Sequence, residues 1–289
     1  MQQNFVCIGA QKAGTTTLAD ILSAHPDICI PQVKETKFFL FEHDYAKGKA
    51  FYDTYFSNYT GQKAVGEFDP DYMLFPETAV RIAETLGTGI RILVVIRHPA
   101  DRAYSHYLMT RRKGLELLPF REALNAEHSR KGDIKTRKIF AYIERGLYSR
   151  QLAAFLEVFP KENFLFLEFE RDLIKGREAM VRKVQEFLGV EYVKLQLDVH
   201  SNEAGEPVSH SVNEWVRKPN FVKRIFKMIL PVRSMRKLLR KQFIRTNMQK
   251  VSASRLDDTS RMEIVDRYFR EDIKMTEKLT GLDLSSWYQ

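Results

Sequence analysis

The sequence predicts an α/β protein of three layers. A central, mostly parallel sheet is flanked by helices, and a helical extension follows at the C-terminal end. Three observations lead there. From residue 4 to about residue 190, short apolar runs of strand length alternate with amphipathic stretches, the pattern of parallel strands joined by crossover helices. The first run, in "FVCIGAQKAGTTTLADIL", passes through a glycine-containing turn straight into a helix, an arrangement that holds phosphates. Beyond about residue 200 the pattern turns helical and polar.

Taken in order, "NFVCIG" (4–9) reads as a buried strand and "GTTTLADILSAH" (14–25) as the helix after it. His25, before Pro26, marks the end of that helix. Phe38 and Phe39 read as core. "AVGEF" (64–68) and "IRILVVIR" (90–97) are two more buried strands. "PADRAYSHYLMTRR" (99–112) is helical, with Pro99 suited to a first turn. "LYSRQLAAFLEVF" (147–159) is an amphipathic helix, "NFLFLEF" (163–169) a strand, and "REAMVRKVQEFLGV" (177–190) a helix closing at Gly189. There is no repeat, low-complexity tract or linker. One domain is expected over 1–289, with an α/β core at 1–199 and a mainly helical, basic extension at 200–289.

The 289 residues, 44% of them hydrophobic, suffice for one large core. Two cysteines, Cys7 and Cys29, cannot make a zinc site by themselves, and Cys7 sits in a strand pattern as a buried free thiol. The first core strand starts too early to follow a signal peptide, and no apolar run reaches the ~18 residues of a membrane span. A cytoplasmic protein is expected. The net charge of +9 is local: twelve basic residues and no Asp or Glu lie between 215 and 250, so the rest of the chain is net acidic.

The phosphate loop departs from the nucleotide-kinase pattern. Gly9 and Gly14 are followed by Thr15 where that pattern has lysine, and the lysine, Lys12, lies inside the turn. The strand "IRILVVIR" ends in Arg97 where a metal-binding Asp would stand, and a cation there repels a metal and attracts a phosphate. Backbone N–H groups at the helix start, the hydroxyls of Thr15, Thr16 and Thr17, and the charge of Lys12 can still cradle an anion. Such equipment suits a nucleotide with a 5′ anion and no divalent metal, with Arg97 available for a second phosphate. His98 and His106 flank that place.

Five ordered motifs, "GAQKAGTTTL", "HPDI", "KETKFF", "GEFDPDY" and "IRHPADRAYSHY", resemble those of the PAPS-dependent sulfotransferases, closest in pattern to the heparan-sulfate and related carbohydrate branch. The likeness covers about residues 4–190; beyond 200 only "GLDLSSW" matches. It implies a P-loop-type fold, 3′-phosphoadenosine 5′-phosphosulfate (PAPS) as donor, 3′,5′-ADP as product, and no metal. Carried over by motif, Lys12, Ala13, Gly14, Thr15, Thr16 and Thr17 hold the 5′-phosphosulfate, with Lys12 also stabilising the bridging oxygen. Arg97 and, eight positions on, Ser105 bind the 3′-phosphate, and Glu35, before the paired phenylalanines, is the general base. The acceptor implied is a hydroxyl or amine of a carbohydrate, or of a glycan on a lipid or polymer.

One departure stands out. Many carbohydrate relatives carry lysine after the Glu of the "VGE" strand, and here that residue is Phe68. Either Lys12 carries more of the charge, or Lys34 or Lys37 substitutes. Glu67 and Asp69 line the acceptor side with Lys37, or cap the next helix. The basic 215–250 stretch has three readings: a solvated cover for the core, a contact for an anionic polysaccharide, or a peripheral membrane surface reaching a lipid-linked acceptor. No aromatic-basic interleaving supports nucleic acid. The rival functions are a kinase-like phosphotransferase and a non-catalytic anion- or membrane-binding module with a vestigial donor loop.

Overall fold

The structure, a computed structural model, describes residues 2–130, 132–198 and 256–288, with the backbone of two short strands between the last two segments. The basic 215–250 stretch therefore lies outside the described residues, apart from the strand at Met248–Gln249.

The chain runs β1 (Phe5–Gly9), α1 (Thr15–Leu22), β2 (Ile28–Cys29), α2 (Glu42–Tyr45), α3 (Gly48–Asp53), β3 (Ala64–Phe68), α4 (Glu77–Leu86), β4 (Arg91–Ile96) and α5 (Pro99–Arg112). It continues through α6 (Phe120–Ala126), α7 (Ile134–Phe140), α8 (Tyr148–Leu156), β5 (Phe164–Glu168) and α9 (Arg177–Phe187). After β6 (Glu206–Pro207) and β7 (Met248–Gln249) come α10 (Asp258–Ile264) and α11 (Arg270–Thr280). Every strand and helix read between residues 4 and 190 is present, within a few residues at the ends, while the helical reading of 200–255 lies outside the described residues apart from two short strands, β6 and β7, that it did not include. β2, α2–α4, α6 and α7 were not read from the sequence.

The chain folds into two compact units. The first, Met1–Ala103, Ala141–Ser201 and Asp257–Gln289, contains one five-stranded sheet in the order β2-β3-β1-β4-β5, parallel throughout. β1 is central, pairing Phe5 with Gly66 on one side and with Arg91 on the other. Its residues Phe5 to Ile8 and the β4 residues Ile92 to Ile96 are wholly buried. Both faces are covered, so the strands read as continuous apolar runs rather than alternating ones. The sheet order reverses at β1, the kind of switch point beyond whose strand ends open α/β sheets bind ligands.

The C-terminal helices belong to this first unit. Asp272 on α11 accepts hydrogen bonds from Ser149 N at 3.2 Å and from Ser149 Oγ, near the start of α8. Trp287 is buried, its ring 5.8 Å from that of His98, and its Nε1 donates to Glu168 at 3.4 Å. His25 lies past the end of α1, buried, accepting from Asp27 N at 3.0 Å on Nδ1 and contacting the Glu191 carbonyl at 2.9 Å through Nε2. Cys7 and Cys29 are free and buried, and burial pushes the Cys7 thiol up to about 12.

The second unit is Tyr104–Phe140 and Asn202–Leu256. Arg130, between α6 and α7, pairs with Glu116 ahead of α6 and lies 4.6 Å over the Phe140 ring at the end of α7. The rings of Tyr104 and Tyr107 each sit 5.0 Å from Phe120. No helix among the described residues is long and apolar enough to cross a membrane.

Candidate active site

The turn after β1 has an anion cradle's backbone. Gly14 precedes α1 at φ 84°, and Lys12 is left-handed at φ 73°. No side chain caps α1, so its first N–H groups carry the helix's positive end without a side-chain acceptor. A Cβ on Gly14 would lie 2.2 Å from Leu173 Cδ2 and 2.8 Å from the Phe169 ring, so only glycine fits there. Thr15 is buried, while Thr16 and Thr17 are half-buried. Ala13 is buried and its N–H is used inside the turn, donating to Ala10 O at 3.1 Å.

Arg97, just past β4, reaches back to this turn. Its Nη1 donates to Lys12 O at 3.3 Å, its Nε to Glu170 at 3.3 Å, and its guanidinium lies 4.7 Å over Phe169. Tyr148 OH donates to the Arg97 carbonyl at 2.7 Å and so fixes the backbone beneath it. Burial, then hydrogen bonding with Glu168, pushes the Glu170 carboxyl up to about 8 against the pull of Arg97. His98 is buried, its Nδ1 3.9 Å from Asp101, and burial holds its pKa down to about 4. The uncapped helix start, the Lys12 backbone and the Arg97 guanidinium thus meet at one end of the sheet. Ser105 lies half-buried on α5, in the second unit.

The "KETKFF" loop is held onto the end of β3. Glu35 and Lys37 are both left-handed, at φ 57° and 60°, a conformation that costs an ordinary residue roughly 1–2 kcal/mol. Between them, Thr36 Oγ1 donates to Glu67 at 2.7 Å. Lys37 N donates to Asp69 at 2.9 Å. Phe38 and Phe39 anchor the loop from below: both are fully buried, with centroids 4.8 and 5.0 Å from Tyr52. Lys37 Nζ meets Asp69 at 2.7 Å, Asp71 at 2.8 Å and Glu35 at 3.0 Å. Burial works against its charge, but Asp69, Asp71 and Glu35 outweigh it and hold its pKa above the usual lysine value.

Glu67 and Asp69, expected on the acceptor side or as helix caps, are fully buried and hold the loop, and Asp69 also accepts from Asp71 N at 3.2 Å ahead of the short turn Tyr72–Leu74. Glu67 also accepts from Tyr52 OH at 2.9 Å and Tyr72 OH at 3.0 Å. Burial and then the Asp69 charge push it up to about 7. Burial raises Asp69 to about 6, with Lys37 pulling the other way. Lys37, expected to contact acceptor, is enclosed by carboxylates, and its ammonium sits where three acidic groups converge. Phe68 packs on Phe5, centroids 6.1 Å apart, so position 68 points into the core. Glu35 is half-exposed.

Sequence reasoning missed Asp71, Arg145 and Gln11. Arg145 Nη2 pairs with Asp71 Oδ1 at 2.6 Å, both buried, and Gln11 Nε2 of the phosphate loop donates to the same oxygen at 3.4 Å. The doubled aspartates of "GEFDPDY" were a visible signal; nothing local marked Arg145.

A parallel α/β sheet with an anion cradle at its first strand–helix turn, and an arginine at the end of β4, defines a P-loop-type nucleotide-binding protein. Residues 2–274 match the sulfotransferase domain, and the chain belongs to the PAPS-dependent sulfotransferase family, near its heparan-sulfate branch. It is 30% identical over 188 residues to mouse heparan sulfate glucosamine 3-O-sulfotransferase 3B1, covering 65% of this chain and 46% of the relative. To human heparan sulfate glucosamine 3-O-sulfotransferase 6 it is 31% identical over 186 residues, covering 64% and 52%. The chain thus spans about half the length of these relatives. A crystal structure of a sulfotransferase from Alicyclobacillus acidocaldarius superposes with a TM-score of 0.69 at 26% identity, covering all of both chains.

Proposed function

We propose that the chain transfers the sulfuryl group of PAPS to a hydroxyl, or an amine, of a carbohydrate acceptor, with Glu35 as general base. The observation that carries this reading is the junction of the two loops. The half-exposed Glu35 sits on a strained loop that shares Asp71 with the phosphate loop, so a base lies beside an anion cradle. PAPS would supply an activated sulfuryl group whose leaving phosphate gains charge as the bond breaks. Lys12 and the start of α1, with Thr15, Thr16 and Thr17, would hold that phosphate and stabilise the charge. Arg97 would hold the 3′-phosphate. Glu35 takes the acceptor proton as the new O–S bond forms, a role commonly worth about 10²–10⁴-fold. The carbohydrate acceptor rests on likeness to the heparan sulfate enzymes.

Calorimetry with 3′,5′-ADP, 5′-ADP and ATP, with and without EDTA, tests the donor. Tight, magnesium-independent binding of 3′,5′-ADP is expected, and a preference for Mg-ATP overturns the assignment in favour of a kinase-like reaction. Arg97→Ala should weaken 3′,5′-ADP more than 5′-ADP, by about 1.5–3 kcal/mol for a charged hydrogen bond. Labelled PAPS with a panel of glycans, glycolipids and small phenols, followed by mass, identifies the acceptor class. No label transfer to any of them would favour a binding module.

A further inference from the structure

Lys37 and Asp71 have no chemical step in the reaction above, yet both touch the loop that carries its base. We propose that Lys37, held by Asp69 and Asp71, is a positioning residue that fixes the Glu35 carboxylate in register with the phosphate loop; the proposal rests on the reading of Glu35 as base.

An ammonium has three N–H donors, and Lys37 Nζ has three carboxylate partners within 3.0 Å. The contact with Asp69 is a directed hydrogen bond, and those with Asp71 and Glu35 are ion pairs, so the ammonium is committed to carboxylates of its own chain. Two of those partners are held fast. Asp69 is fully buried and accepts from Lys37 N and from Asp71 N at 3.2 Å, while Asp71 is buried against Arg145. Only Glu35 is half-exposed, so the ammonium acts as an arm from a fixed anchor to an open carboxylate. A glutamate side chain has up to about 2 kcal/mol of rotamer entropy to lose, and a tether at 3.0 Å removes much of it before acceptor arrives. The backbone is held at the same place: Glu35 and Lys37 are both left-handed, and between and beside them Thr36 Oγ1 donates to Glu67 and Lys37 N to Asp69. Through Gln11, Asp71 also touches the loop that cradles the donor phosphate. Donor cradle and base loop therefore share one carboxylate.

The test compares the parent chain with Glu35→Gln, Lys37→Met, Lys37→Arg and the double variant Glu35→Gln/Lys37→Met. Each is measured for sulfation of an N-sulfated heparan octasaccharide, for hydrogen exchange of the 34–38 amides, and for 3′,5′-ADP stoichiometry, which counts folded sites. Lys37→Met should lower kcat about tenfold or more, leave acceptor KM within about twofold, and speed exchange of the loop about tenfold. Lys37→Arg should recover part of kcat. The double variant should be no slower than Glu35→Gln alone, because Lys37 acts through Glu35. A raised KM at constant kcat, a double variant slowed by the product of the singles, or unchanged exchange overturns the proposal. Parental turnover in Glu35→Gln instead removes the base reading, and this inference with it. The exchange measurement needs no acceptor and decides the matter if the octasaccharide is not turned over.

Discussion

Gly14 stands at φ 84° with Leu173 and Phe169 closed over its α-carbon. Gly14→Ala adds a methyl group where 2.2 Å is available, in a backbone region that alanine rarely adopts. Loss of about 2–4 kcal/mol is expected from overpacking and strain together, with 3′,5′-ADP affinity falling in parallel. Chemical denaturation and calorimetry on the same sample check both. Glu67 makes a second residue-scale prediction. Its folded pKa of about 7 lies above the ordinary 4.5, so the folded chain keeps a proton that the unfolded chain releases. The stability this contributes is complete below pH 4.5 and is lost as pH rises through 7. The melting temperature of Glu67→Gln should therefore fall less across that window than the parent's, and parallel curves by scanning calorimetry would remove Glu67 as the cause.

At the scale of elements, the site is assembled from strand ends. β1 delivers the cradle, β3 the carboxylates Glu67 and Asp69, β4 Arg97, and β5 the turn with Phe169 and Glu170. That last turn, Phe169–Lys175, is π-helical, and Glu168 caps it by accepting from Glu170 N and Arg171 N at 3.2 and 2.6 Å. It sets Phe169 under Arg97 and Leu173 against Gly14. The helix pair α8–α11 braces the same edge. Asp272 joins the two through Ser149, and burial raises its pKa. Asp272→Ala should cost about 1–3 kcal/mol, because it strands the N–H and hydroxyl of the buried Ser149. Urea unfolding measures it, and an effect within about 0.5 kcal/mol, the ordinary range of a surface change, would show that α11 does not depend on this contact.

At the scale of the whole molecule, charge is the open lever. The net +9 comes from the 215–250 stretch, whose twelve basic residues have no acidic neighbours within it. Reversing Arg233, Arg236, Lys237, Arg240 and Lys241 should raise acceptor KM and leave 3′,5′-ADP affinity alone if the stretch meets a polyanionic acceptor. The effect should shrink with salt, since exposed charges are screened over about 8–10 Å. If the stretch meets a membrane, the same variant loses sedimentation with anionic vesicles while a soluble acceptor reacts unchanged. A variant altered in neither assay leaves it a solvated cover.

The sequence by itself determined the alternation of strands and helices, because buried parallel strands are written as unbroken apolar runs and helix starts as local turn chemistry. It also marked the glycine turn after β1, Arg97 at the end of β4 and the "KETKFF" loop as candidates, each a contiguous signal. Helices α2, α3, α6 and α7 escaped it because they are short and weakly patterned, and their packing defines them more than their periodicity. Only the tertiary structure decided the partners. Lys37 meets Asp69 across 32 residues and Asp71 meets Arg145 across 74, and no local pattern says which of several nearby charges will be neighbours. It also decided that Glu67 is a buried anchor, since strand alternation alone could have turned that carboxylate to the cleft. Pairing and burial are set by what lies opposite in space, and that information is spread over the whole chain.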